Sequence, residues 1–213
     1  MFAAAEELAA AGCTLLQYRN KQGTARQMLA QARELRARLG VRADTELLCP
    51  PATTELRSAW TGEGVRPHTS ANIKLIMNDR ADLCLAAAFD GLHLGQDDLS
   101  PESARKIIGP ARLLGVSTHN PEQLSEATKT TADYLAIGPV FSTTTKANPD
   151  PVVGLAGVRR ARELTPKPLV AIGGITPANA RSVLDAGADA IAVISALLPN
   201  PRKSAEEFLR VLR

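Results

Sequence analysis

Three groups of side chains in this sequence could do chemistry on an anionic substrate. Gln17, Arg19 and Lys21 recur at every second position in and just beyond the apolar run CTLLQYR. In a strand alternate residues share a face, so the three project together at its C-terminal end. An amide and two fixed cations aimed inward are costly unless an anion meets them, although a solvated strand end has the same pattern. Asp79, after KLIMN, and Asp98, in Gly95-Gln96-Asp97-Asp98, follow two successive apolar runs. Asp79 alone reads as a helix cap. Paired with Asp98 and facing the Lys/Arg cluster, it points to a metal and a phosphate group together. Mg²⁺ is held in this way, by one or two carboxylates, several waters and phosphate oxygens. Asp97 reads as a turn or cap residue, and no His/Cys spacing points to zinc.

The third group is rich in hydroxyls and glycine. The segment PVFSTTTKANPDP, residues 139–151, sets Ser142, Thr143, Thr144 and Thr145 ahead of Lys146. It reads equally as a disordered polar loop and as a phosphate-gripping lid. Gly173-Gly174 closes one apolar run and lets backbone N–H groups approach an anion. Val193-Ile194-Ser195 closes the next, where the chain changes direction. A tight turn accounts for one of these two features and a phosphate site for both. Ser117 reads as a cap, His119 as a core-bonded or exposed ring, and His93, inside a strand, as structural or as a support behind the ligands. His68 says little.

These groups sit at the ends of regularly repeating elements. Apolar runs at 13–19, 74–79, 91–95, 112–117, 133–138, 167–174 and 189–195 predict strands. Between them, helix patterns fall near 24–39, 80–88, 101–108, 121–130, 155–163, 177–187 and 203–212. Such alternation predicts a parallel sheet with helical crossovers. Ser100-Pro101, Asn120-Pro121 and Thr176-Pro177 each put a capping residue before a proline suited to a first helical position, while Gly109, Gly115 and Gly187 punctuate the returns. Seven units are visible where a closed barrel needs eight. Residues 2–11 read as a first helix without its strand. Residues 40–70 hold Pro50-Pro51, Trp60, Gly62, Gly64 and Pro67 with no sustained period, an atypical insertion for a barrel loop. Thr45 to Cys49 could be a strand within it, and whether that fills the vacancy is left open. The expectation is one α/β domain, 1–213: a (β/α)₈ TIM barrel lacking its first strand and carrying the 40–70 insertion.

Composition narrows the function classes. The chain has 213 residues, 45% apolar and only 3% aromatic, so aliphatic side chains must fill the core. With 25 Lys+Arg against 22 Asp+Glu the formal charge is +3. That lacks the concentrated basic stripe of a nucleic-acid binder but does not exclude a small anionic substrate. No apolar run is long enough to span a membrane, and the acidic start is unlike a signal peptide. Cys13, Cys49 and Cys84 are odd in number and widely spaced, which fits free core thiols in a reducing cytoplasm.

Six motifs in order resemble the thiamine-phosphate synthase family: Gln17-x-Arg19-x-Lys21; Asn78-Asp79-Arg80; His93-Leu94-Gly95-Gln96-x-Asp98; Gly115-Val116-Ser117-x-His119; Gly138-Pro139-Val140-Phe141 with Thr143 to Lys146; and Ile172-Gly173-Gly174-Ile175. The resemblance covers residues 2–39 and 71 to the C-terminus. It implies a cytoplasmic transferase that joins 4-amino-2-methyl-5-hydroxymethylpyrimidine pyrophosphate to 4-methyl-5-(2-phosphoethyl)thiazole through a dissociative, Mg²⁺-assisted step. By resemblance, Asp79 and Asp98 hold Mg²⁺. Gln17, Arg19, Lys21, Asn78, Ser117 and Lys146 bind the pyrimidine pyrophosphate, with Arg19 and Lys146 giving electrostatic assistance. Thr143, Thr144, Thr145, Gly174, Ile194 and Ser195 bind the thiazole phosphate. The partners implied are these small molecules, without nucleic acid or membrane, and assembly into a homo-oligomer is left open. Members of the family usually begin with a strand before the first helix and have a short loop where residues 40–70 stand. A truncated or misassigned start is one hypothesis for the first departure. Two other readings compete: a thiazole tautomerase-like isomerase, which predicts loss of the Asp pair and reliance on a histidine such as His119, and a non-catalytic thiamine- or phosphate-binding protein.

Overall fold

A computed structural model describes residues 1–41, 73–143, 150–198 and 200–212. Among them, seven parallel strands alternate with helices. The order is α1 (Phe2–Ala11), β1 (Leu15–Tyr18), α2 (Ala25–Arg38), β2 (Lys74–Asn78), α3 (Ala81–Ala86), β3 (Gly91–Leu94), α4 (Pro101–Ile108), β4 (Leu113–Thr118) and α5 (Pro121–Lys129). Then come β5 (Tyr134–Ile137), α6 (Gly154–Leu164), β6 (Leu169–Ile172), α7 (Pro177–Asp185), β7 (Ala190–Ala192), a 3₁₀ turn (Ser195–Leu197) and α8 (Pro201–Leu212). Every expected strand and helix is present. Gly115 departs from its expected part: it lies inside β4, not at a return.

The strands follow one another in sheet order, β1 to β7, all parallel. The fold is TIM-barrel-like, but the described residues form a curled half-barrel, not a closed eight-stranded barrel. β1 and β7 are the two edges of this sheet and do not pair with each other. On the outside, α1 packs against α8, and the Arg202 N–H donates to Glu7 Oε2 at 3.4 Å. The possible strand at 45–49 and nearly all of the 40–70 insertion lie outside the described residues.

Local chemistry sets the helix starts. The side chain of Ser100 accepts from the Ser103 N–H, and that of Asn120 from the Gln123 N–H, each ahead of a proline in the first turn. Thr24 and Gln27 form a capping box at α2. The core is mostly aliphatic. Leu75, Leu92, Leu94, Leu114, Leu135 and Leu169 are fully buried, and Phe89 meets Tyr18 edge-on at 6.5 Å. Cys84 is buried and free, Cys13 is half-buried and free, and Cys49 lies outside the described residues.

One device recurs at the N-terminal ends of the strands. Asp90, Asp133 and Asp189 each stand immediately before a strand and bracket one leucine of the neighbouring strand. Their N–H groups donate to the carbonyls of Leu75, Leu114 and Leu169. Their carboxylates accept from the same three leucines' N–H groups at 2.7, 2.7 and 2.8 Å. A cation closes each clamp: Lys74 at 3.4 Å, Arg105 at 2.6 Å and Arg162 at 2.7 Å. Arg105 and Arg162 also donate to loop carbonyls, so the strand starts are tied to the helix ends.

Candidate active site

The opposite, C-terminal ends of the strands carry the residues singled out from sequence. Gln17 on β1 donates from Nε2 to Asn78 Oδ1 on β2 at 3.1 Å. Lys21 reaches Asp79 at 3.2 Å. Arg19 is exposed beside them and makes no hydrogen bond or ion pair among the described residues. Arg80 turns away and pairs with Asp82.

Asp79 is held in a tight turn. The Arg80 N–H donates to Asn78 O at 2.7 Å across it, and its φ is +63°, a left-handed value uncommon for a residue other than glycine. Its own N–H donates to His93 O at 2.9 Å, locking the turn to the end of β3. Asp98 is oriented by the Gly95 N–H, which donates to Oδ2 at 2.7 Å. The two carboxyls lie within hydrogen-bonding reach of each other. Burial first, then contact with Asp98, holds the Asp79 carboxyl above its ordinary range, and Lys21 offsets this only in part.

Two adjoining carboxylates short of positive charge are a donor set suited to a hard divalent cation. Among the described residues no third His, Cys, Asp or Glu joins them. A cation held here would complete its shell with water and phosphate oxygens, the pattern of Mg²⁺ and not of an all-protein cage.

The inner wall next to this pair is polar. His93 on β3, Gly115 on β4 and Tyr134 on β5 occupy one register row. The Tyr134 ring passes over Gly115 so closely that a Cβ there would lie 2.0 Å from Cζ. Its hydroxyl reaches His93 Nδ1 at 3.0 Å, and His93 Nε2 meets Ser117 Oγ at 2.8 Å. Gln96 donates to Ser117 O at 2.5 Å. Burial pushes His93 down to about 4, against a weaker upward pull from Asp98. It pushes the Tyr134 hydroxyl well up. Ser117 therefore faces the site and does not serve as a cap. Tyr134 and Gln96 were not apparent from sequence. The available signal was a tyrosine in an apolar strand, whose row partner is a glycine.

The far side is built by β5, β6 and their loops. A cis Gly138–Pro139 bond leads into Val140 and Phe141, whose N–H groups donate to Ile172 and Gly173 carbonyls at 2.9 and 3.0 Å. Gly174 has φ +64° and packs against Phe141 and Ser142, where a Cβ would lie 2.5 Å from Ser142 O. Glycine is required there by both conformation and space. The returning end of the loop is pinned by Val153 N–H to Pro139 O at 2.9 Å and Gly154 N–H to Val140 O at 3.1 Å. His119 bridges the two ends, with Nδ1 2.6 Å from Gly138 O and Nε2 3.5 Å from Asp150. Thr143 lies at the edge of the described loop; Thr144, Thr145 and Lys146 lie outside the described residues. Ile194 and Ser195 follow β7, one strand beyond Gly174, and both are exposed.

Among the described residues the structure thus joins Gln17 to Asn78, Lys21 to Asp79, and Asp79 to Asp98, and sets Gly174 against Phe141 and Ser142. Among the described residues no bond links Arg19, Ile194 or Ser195 to these groups.

Comparison with known proteins fits this geometry. The family model for thiamine monophosphate synthase matches residues 53–197. The thiamine-phosphate synthase of Koribacter versatilis (strain Ellin345) is 55% identical over 208 residues, covering 98% of this chain and 84% of its own length. That of Chloroflexus aurantiacus is 42% identical over 187 residues, covering 88% and 73%. Among solved structures, thiamine phosphate pyrophosphorylase from Pyrococcus furiosus matches with a TM-score of 0.77 at 33% identity, over 99% of this chain and 88% of that one. On these grounds the chain belongs to the thiamine monophosphate synthase family.

Proposed function

We propose that the C-terminal ends of the strands are the active site of a thiamine-phosphate synthase, with the whole chain acting as one catalytic domain. The reaction condenses the pyrimidine pyrophosphate with the thiazole phosphate. The bond between the pyrimidine methylene carbon and the pyrophosphate oxygen breaks, and the oxygen keeps the electron pair. The thiazole nitrogen lone pair then forms the new C–N bond, giving thiamine phosphate and free pyrophosphate. The observation that carries this reading is the Asp79–Asp98 pair beside Lys21, at the ends of adjacent strands.

Departure of a pyrophosphate needs charge neutralisation and no nucleophilic side chain. Gln17, Arg19, Lys21, Asn78, Ser117 and Lys146 bind the pyrimidine pyrophosphate, and Arg19 and Lys146 offset the charge that collects on the leaving group. Thr143, Thr144, Thr145, Gly174, Ile194 and Ser195 bind the thiazole phosphate through hydroxyls and backbone N–H groups, as loops after late barrel strands do for phosphates. Asp79 and Asp98 hold Mg²⁺, which when bound neutralises pyrophosphate oxygens. Exclusion of water from the site would protect the pyrimidine cation from hydrolysis.

The test is to incubate the purified chain with both substrates, with and without Mg²⁺, and to oxidise any thiamine phosphate to fluorescent thiochrome. Product that depends on Mg²⁺ is expected. Equal product in metal-free buffer would remove the metal from this reading, and no product from a folded sample would remove the synthase assignment.

A further inference from the structure

The binding roles above leave the Tyr134–His93–Ser117 chain without a task. A neutral imidazole has one N–H and one lone pair. With a hydroxyl on each nitrogen, one hydroxyl donates to the ring and the other accepts from it, so the orientation of one sets that of the other. If Tyr134 donates to Nδ1, then Nε2–H donates to Ser117 Oγ and the serine proton is left for a ligand. In the reverse arrangement Ser117 gives its proton to His93 and presents only lone pairs, which an anion disfavours.

We propose that His93 is a positioning residue for the reaction: in its Nε2–H tautomer, set by Tyr134, it turns the Ser117 hydroxyl proton toward the pyrimidine pyrophosphate. The proposal rests on the reading of Ser117 as a ligand to that substrate. Three features support it. The distances of 3.0 and 2.8 Å make the chain continuous from Tyr134 to Ser117. Gly115 leaves the space that the Tyr134 ring occupies on its way to His93, because a Cβ there would lie 2.0 Å from the ring's Cζ. Gln96 fixes the Ser117 backbone carbonyl, so hydroxyl rotation is the freedom left for His93 to settle. A histidine needed only to fill the wall would require none of these.

Two amides separate positioning from filling. Asn in place of His93 sets a nitrogen near the Nδ1 position, and Gln sets one near Nε2. His93→Gln can keep the bond to Ser117, whereas His93→Asn cannot. In the thiochrome assay His93→Asn is expected to lower kcat/KM for the pyrimidine pyrophosphate by about tenfold, the scale of one hydrogen bond to a charged group. His93→Gln should stay within about threefold of the parent chain. In a Ser117→Ala background His93→Asn should cost nothing further. Equal losses in the Asn and Gln variants, or a full additional loss in the Ser117→Ala background, overturn the proposal.

The tautomer itself is read without turnover. Nitrogen-15 spectra of the labelled parent chain should show His93 protonated at Nε2, and Tyr134→Phe should weaken that preference. A proton on Nδ1 overturns the proposal even if neither amide variant folds. A parent chain that makes no thiamine phosphate defeats the reading of Ser117 before any variant is compared, and the spectra still decide the tautomer.

Discussion

The two ends of the sheet use aspartate in opposite ways. At the N-terminal ends, Asp90, Asp133 and Asp189 each accept a strand N–H and meet a lysine or arginine, so every carboxylate is neutralised within the fold. At the C-terminal ends, Asp79 and Asp98 meet each other, Lys21 is the counter-charge paired with Asp79, and Asp79 sits at φ +63°. One end is satisfied as folded. The other stores unfavourable conformation and charge that a bound cation and anion would relieve, which is where barrels of this type keep their chemistry.

Several experiments can break or sharpen that contrast. The largest effect is expected at the strained end. Asp79→Ala or Asp98→Ala should cut Mg²⁺-dependent thiamine phosphate formation by about two orders of magnitude or more, because a lost ligand weakens both metal and pyrophosphate binding. Near-normal turnover in either variant would end the claim that this pair holds the metal.

Acid should also act first at that end. His93 is held at about 4 against an ordinary value of 6.5, so the folded state resists protonation that the unfolded state accepts. Stability from this group is complete above 6.5 and is lost as pH falls from 6.5 toward 4, by up to about 3 kcal/mol. Denaturant melts across that range should show the loss, and His93→Gln should flatten it. An unchanged slope in that variant would place the acid sensitivity elsewhere.

At the satisfied end the expected cost is to stability alone. Asp189→Ala leaves the buried Leu169 N–H and the Arg162 guanidinium without their carboxylate and should destabilise by about 2 kcal/mol, with activity per folded molecule preserved. A loss of kcat without a loss of stability would contradict the division between the two ends. The smallest effect reverses the usual sign. Asp98→Asn removes the like-charge contact on Asp79 and should stabilise the metal-free chain by about 0.5 kcal/mol while abolishing its response to Mg²⁺. A destabilised Asp98→Asn chain would mean that the pair is not repulsive as folded.

Much of the architecture was legible because it rests on local rules. Alternating apolar runs and capped, Pro-initiated helices located all seven strands of the described residues, and the expected span 101–108 coincides with α4. Asp79, Asp98, Lys21, Gln17 and Asn78 were legible as strand-end residues, since strand periodicity alone puts them on one rim. Closure was not legible: whether seven strands curl into a half-barrel depends on which edges pair, and no local pattern encodes that. Ser117 looked like a cap because its partner His93 lies 24 residues away in sequence.

From residue types and spacing alone come the parallel βα order, the aliphatic core and a rim rich in cations, carboxylates, hydroxyls and glycines. Those features arise from propensity and periodicity, which act over a few residues. Tertiary structure decided that Asp79 faces Asp98, that Tyr134 crosses Gly115 to reach His93, and that Gly174 packs on Ser142. Each of these depends on strand register and on side chains from different βα units meeting in space, and register is a property of the assembled sheet.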